Sequence, residues 1–198
     1  MTADSASMPT PFLRSSKARR SRMPRSPKNG IHRVSVLGSG KVREKDPVYQ
    51  QAFKLGQALA GEGITVFHGG FRGIMEAVAK GSRLTGGHNV GVTIHSASKK
   101  RNPFLDAVIE MPCWQSRLSK LIAIGDAYIF LDGATGTLNE LFFVLEMTNR
   151  GLLQKPIIIL GKQLHALLRR LKKDPYFDLP HTLHFVTSIS QTLKLLKG

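Results

Sequence analysis

The chain has 198 residues and one cysteine, about one domain's worth of sequence and enough to bury a core without disulfides. Cys113 has no partner for an internal bridge, and no cysteine and histidine cluster has structural-zinc spacing, so a reducing, cytoplasmic setting fits and no metal is expected. No apolar run approaches the roughly 18 residues of a membrane span or the core of a secretory signal, while the formal net charge of +16 favours phosphate-bearing ligands, nucleic acid or acidic surfaces.

Residues 1–30 hold seven Lys and Arg against Asp4 alone, in a stretch rich in Ser and Pro with few groups able to form a core. This composition predicts a disordered basic tail, read as a solvated or overlong start, with a nucleic-acid arm or a transit sequence as functional alternatives. The folded domain is expected over residues 31–198.

From Val34 the pattern alternates short β-branched runs with helical periodicity. "RVSVLG" reads as a strand. "DPVYQQAFKLGQALAGEG" places Val48, Ala52, Leu55 and Leu59 on one helical face and ends at Gly61 and Gly63. The strand "ITVFHGG" and the helix "GIMEAVAKGSRLTGG" follow, then the strand "NVGVTI", a basic loop "HSASKKRNP" and the short strand "AVIEM". A helix over Trp114 to Ile124, the strand "AYIFL", a helix through Asn149, the strand "PIIIL" and two C-terminal helices complete the pattern.

Short, continuously apolar strands separated by helices imply a parallel sheet covered on both faces: a single, doubly wound, Rossmann-like α/β domain. Ligands of such sheets bind beyond the carboxyl ends of the strands, where the turns at Gly38, Gly69 and Gly133 are expected to converge. Two familiar phosphate-binding turns are absent. "GSGKVR" at 38–43 lacks the third glycine of the dinucleotide fingerprint, and no acid follows "VFHGG" to hold a ribose; neither Gly40-Lys41-Val42 nor Gly161-Lys162-Gln163 completes a triphosphate loop. Nicotinamide cofactors and ATP hydrolysis are set aside, and no cofactor is expected.

"FLDGATGTLNEL", residues 130–141, admits two readings. Thr137-x-x-Glu140 has the spacing of a capping box, in which each side chain bonds the other residue's backbone amide. Alternatively, amides around Gly133 to Thr137 hold a phosphate and Glu140 projects toward the attached sugar. His68 reads as a turn residue. His181 and His184 are three apart and able to meet on one helical turn, but without a third ligand they do not read as a metal site. Cys113 reads as a passive neighbour of Trp114.

Three segments together resemble the family of cytokinin-activating phosphoribohydrolases known as "Lonely guy", often mislabelled lysine decarboxylases. "DGATGTLNE" at 132–140 is similar to the family's Pro-Gly-Gly-x-Gly-Thr-x-x-Glu motif, "SRLSK" at 116–120 to its Arg-Lys pair, and "HGGFRGIM" at 68–75 to its triple-glycine turn. Arg117 lies nine residues before Asp126, as in the family. The likeness extends from about Val34 to Leu160. It departs at Asp132 for proline, Ala134 for glycine, His68 for glycine, Leu118 for lysine, Asn139 and Phe143 for acids, and Glu146 for threonine.

The resemblance implies hydrolysis of the N-glycosidic bond of a nucleoside 5′-monophosphate to a free base and ribose 5-phosphate. It implies Glu140 as the carboxylate at the sugar and Arg117 as a fixed positive charge for the phosphate or the leaving base. Gly133, Ala134, Thr135, Gly136, Thr137 and Asn139 would hold the ligand, with Gly38, Ser39, Gly69, Gly70 and Gly73 shaping the remaining walls. A homodimer is also implied. Asp132 at this turn would repel a phosphate unless Arg72, Lys120 or the helix amides offset it. Two other classes stay open: a non-catalytic carrier of a nucleotide or of the molybdenum cofactor, and a nucleic-acid binder using the tail with "SASKKRNP" and "LLRRLKKDP". The latter segments lack the interleaved aromatics of a stacking platform.

Overall fold

The computed structural model describes residues 30–95 and 100–198. The tail expected over 1–30, apart from Gly30, and residues 96–99 of the basic loop lie outside the described residues. In chain order the elements are β1 (Arg33–Leu37), α1 (Pro47–Gly61), β2 (Thr65–His68), α2 (Ile74–Leu84), β3 (Asn89–Ile94), β4 (Ala107–Met111) and α3 (Trp114–Ile124). Then come β5 (Ala127–Phe130), α4 (Thr135–Asn149), β6 (Ile157–Ile159), α5 (Lys162–Leu171), β7 (Leu183–Phe185) and α6 (Ile189–Lys197).

All seven strands form one parallel sheet in the order β4-β3-β2-β1-β5-β6-β7. Strand periodicity divides the core between its faces. In β5, Ala127 and Ile129 pack on the side of α1, α2 and α6, with Leu55, Val78 and Leu196; Tyr128 and Phe130 pack on the opposite side with Leu121 of α3, Leu141 of α4 and Leu164 of α5. The sheet is thus covered on both faces, which is why its central strands carry little besides apolar residues. Arg33 and Asp126 pair at 2.7 Å at the amino ends of β1 and β5, away from the carboxyl edge.

One element differs from the sequence reading. Residues 183–185 form β7, pairing Ile158 with His184, so His184 lies in a strand and His181 in the turn before it rather than on one helical turn. A three-residue edge strand is too short to show its periodicity. Among the described residues, no helix is long and apolar enough to cross a membrane.

Candidate functional site

The strand order reverses between β1 and β5, and a cleft of about 590 Å³ opens beyond the carboxyl ends of the strands there. Residues 38–41 after β1, Phe71 and Arg72 after β2, and the first turns of α3 and α4 line it. The turns are tied together by backbone: the Ser39 amide donates to the Asp132 carbonyl at 3.1 Å, and the Ile74 amide to the Ser39 carbonyl at 2.9 Å. Gly73 has φ +70°, and a Cβ there would lie 2.3 Å from the Ser39 carbonyl oxygen, so only glycine fits this approach.

Helix α4 begins differently from the capping-box reading. Ala134 is its N-cap and carries no capping group; the first helical bond runs from the Leu138 amide to the Ala134 carbonyl. The amides of Thr135, Gly136 and Thr137 therefore meet no acceptor among the described residues. Thr137 sits inside the helix, and its side chain fills the space above Gly133, where a Cβ would lie 2.1 Å from its Oγ1. Three unpaired amides at the positive end of a 15-residue helix are donors of the kind to which an anion can bind.

Arg117 enters from α3 and is only 7% exposed. Its Nε donates to the Val92 carbonyl at 2.8 Å and its Nη2 to the Gly69 carbonyl at 3.3 Å, while Nη1 lies 3.7 Å from Glu140 Oε1. A Cβ at Gly69 would collide with the guanidinium, which explains the glycine. Burial lowers the Arg117 pKa and the charge of Glu140 offsets this. Glu140, its side chain 14% exposed, projects into the cleft, and burial pushes its carboxyl up to about 7 against the lowering influence of Arg117.

A model of the SLOG cluster4 family matches residues 32–186. The chain belongs to that family. An uncharacterised protein of Archaeoglobus fulgidus is 30% identical over 132 residues, covering 66% of this chain and 85% of its own. A cytokinin riboside 5′-monophosphate phosphoribohydrolase of Rhodococcoides fascians is 33% identical over 119 residues, covering 57% of this chain; a probable one of Oryza sativa subsp. japonica is 28% identical over 140 residues, covering 67%. This SLOG cluster4 chain spans 59% and 62% of the length of these two named relatives. Among solved structures, the structural-genomics protein TM1055 superposes with a TM-score of 0.70 at 26% identity, covering 84% of this chain and 99% of that one. The molybdenum cofactor binding protein of Rippkaea orientalis shares the fold, with a TM-score of 0.68 at 23% identity over 87% of this chain and 96% of that one.

In this SLOG cluster4 chain, Gly38, Ser39, Ala134, Gly136, Thr137, Arg117 and Glu140 all line the cleft. Gly69, Gly70, Gly73 and Gly133 stand behind its walls and act through backbone shape. Thr135 and Asn139 do not line it: their side chains are exposed, Asn139 being rotated about 100° around the helix from Glu140. Asp132 corrects the expected repulsion. Its Oδ1 accepts from the amides of Gln163 and Leu164 at 2.9 and 3.1 Å, so the carboxylate caps α5. His68 is fully buried, with Nδ1 accepting from the Gly70 amide at 3.1 Å and Nε2 facing Asn89 Oδ1 at 3.4 Å; it fixes the glycine turn. Cys113 is the N-cap of α3, its thiol 3.3 Å from the Ser116 hydroxyl.

The sequence reading missed Phe71, Met75, Lys41 and Lys100 as lining residues, and Trp114 as more than a neighbour of Cys113. Phe71 and Met75 lie within the quoted glycine turn, and Trp114 is one helical turn before Arg117, a spacing that places both on one face.

Proposed function

We propose that the chain is a nucleoside 5′-monophosphate phosphoribohydrolase. The observation that carries this reading is a nearly buried carboxylate, Glu140, facing the cleft 3.7 Å from Arg117 on the same helix whose first-turn amides are unpaired. With a rise of about 1.5 Å per residue, Glu140 stands about 6 Å along α4 from Gly136, a separation suited to a sugar whose 5′-phosphate rests on the amides.

Breaking the N-glycosidic bond leaves positive charge on the sugar, which an ionised carboxylate beside the anomeric carbon stabilises. Water attacks that carbon and surrenders a proton to Glu140, its oxygen forming the new bond as the carbon–nitrogen bond breaks. The bond's electron pair leaves with the base, which takes up a proton from solvent as Glu140 gives the one it received back to solvent; free base and ribose 5-phosphate result. Arg117 is anchored to two carbonyls and turned to Glu140, which supports a role in holding the carboxylate ionised and aligned. Lys41, Arg72 and Lys100 line the cleft as further cations for a phosphate.

The names of the Rhodococcoides fascians and rice relatives support the same reaction class. The Rippkaea orientalis neighbour is named as a molybdenum cofactor binding protein; carriage of a phosphate-bearing ligand without turnover in this chain would use the same amides but give no role to a carboxylate and arginine pair. The test is incubation of the protein with AMP, GMP, CMP, UMP and an N6-substituted AMP, with free base followed by chromatography. Base release by the wild type, reduced at least about a hundredfold in Glu140→Gln and Arg117→Ala, is expected. Ligand-raised melting temperature with no base release from any nucleotide would overturn hydrolysis in favour of carriage.

A further inference from the structure

Trp114 is the only tryptophan of the chain and stands 54% exposed at the first position of α3, on the wall of the cleft. Large aromatics contribute most of their free energy when their faces are covered. The centre of the Arg117 guanidinium lies 5.2 Å from the Trp114 ring and 5.8 Å from the Phe71 ring, so two aromatic neighbours gather around a cation fixed by the Val92 and Gly69 carbonyls. That arrangement restrains the indole from one side and leaves Trp114 about half exposed on the lining of the cleft.

The cleft is chemically divided. Unpaired amides of the first turn of α4 suit a phosphate, and the cations Lys41, Arg72 and Lys100 line the same cleft. Glu140 suits a sugar, and the Trp114 and Phe71 rings lie on the Arg117 side of it. Phe71 is already buried, so a bare sugar phosphate would leave the exposed Trp114 ring uncovered and a nucleotide would cover it.

We propose that Trp114 is the platform on which the planar base stacks, and so the residue that selects a nucleotide over a sugar phosphate. This rests on the phosphoribohydrolase reading and extends it to the base. Stacking on a π-face tolerates every base, with the larger purines gaining most, so Trp114 favours heterocycles by size rather than by hydrogen-bond pattern.

A single tryptophan makes the test direct. AMP, UMP and ribose 5-phosphate are titrated against the wild type, Trp114→Phe and Trp114→Leu, with binding read by calorimetry and, in the wild type, indole fluorescence read in parallel. AMP is expected to quench the fluorescence more than UMP, and ribose 5-phosphate to bind without quenching. Trp114→Leu is expected to weaken AMP on the order of tenfold or more, Trp114→Phe to retain most of the affinity, and neither to alter ribose 5-phosphate binding. The exposed position leaves the core untouched in both variants. AMP that is bound and hydrolysed with no quenching, and with equal affinity for Trp114→Leu, overturns the platform alone. Absence of binding by all three ligands overturns the platform and the phosphoribohydrolase reading together.

Discussion

Glu140 and His68 face each other's chemistry through Arg117, and burial moves their proton affinities in opposite senses. The Glu140 carboxyl is pushed up to about 7 by burial, so the folded chain holds its proton more tightly than the unfolded one, and stability falls as pH rises from the ordinary carboxylate range to about 7. The His68 imidazole is held down at about 4 by burial, against the raising bond to Asn89, with the charge of Arg117 lowering it further. Its contribution is complete above the ordinary histidine range and is lost as pH falls toward about 4. Between about 4.5 and 6.5 the two slopes oppose. Glu140→Gln removes the first slope, so its stability in urea should gain on the wild type as pH rises from 5 to 8, by on the order of 2 kcal/mol, whereas a difference constant with pH would mean an ordinary carboxyl. The same ionisation sets the chemistry: kcat/KM for base release should rise with pH as the carboxylate forms, half-maximal near pH 7 and level about one unit above it. These two residues show how far a single sequence reaches at this scale. Glu140 stands out by spacing, but Thr137-x-x-Glu140 reads equally as a capping box until the helix is seen to begin at Thr135. Asp132 reads as a charge on the ligand turn, and only the position of the amino end of α5 turns it into a cap.

At the level of elements, α1 and α2 meet through glycines that sequence propensity treats as flaws. A Cβ on Gly81 would lie 2.0 Å from the Phe53 carbonyl oxygen, and one on Gly56 would lie 2.2 Å from that of Val78. The periodic residues Ala52, Leu55 and Leu59 make α1 legible as a helix, but the identity of its neighbour and the closeness of the crossing depend on tertiary packing. That closeness matters to the site, because Gly73, the N-cap of α2, must rest on Ser39 and Gly40 for the cleft wall to form. Gly81→Ala should therefore cost about 1–3 kcal/mol in urea unfolding, since backbone must shift to admit the methyl group. Gly61→Ala, at the end of α1 with open space around it, should be neutral or gain about 0.5 kcal/mol. Equal effects at the two positions would locate the penalty in helix propensity rather than packing. The parallel sheet and its switch point follow from the alternation of apolar runs and helical periods. The edge strand β7 does not, because Leu183–Phe185 is half-buried and three residues long, and pairing with β6 alone makes it a strand.

For the whole molecule, the formal charge of +16 and the position of the cleft act together. Lys41, Arg72 and Lys100 line a concave site at the positive end of α4, where low-dielectric walls concentrate the field on an incoming anion. Residues 1–29, outside the described residues, carry +6 of the total from seven basic residues and Asp4. The two parts of the charge should separate by their response to salt. For AMP, KM should rise several-fold between roughly 50 and 300 mM salt while kcat holds, because screening over a Debye length of about 10 Å at 0.1 M weakens attraction of the phosphate and not the bond-breaking step. Deleting residues 1–29 should leave that dependence unchanged, since the cleft cations remain. Duplex DNA is the contrasting probe: if the basic arm neutralises phosphates, the logarithmic salt slope of binding becomes shallower on deletion, by about 0.9 for each phosphate the arm had neutralised. A deletion that alters AMP kinetics and leaves the DNA slope unchanged would instead assign the arm to the cleft. An unchanged KM across the salt range in the full chain would remove the electrostatic role of Lys41, Arg72 and Lys100, leaving the α4 amides to hold the phosphate through short-range hydrogen bonds.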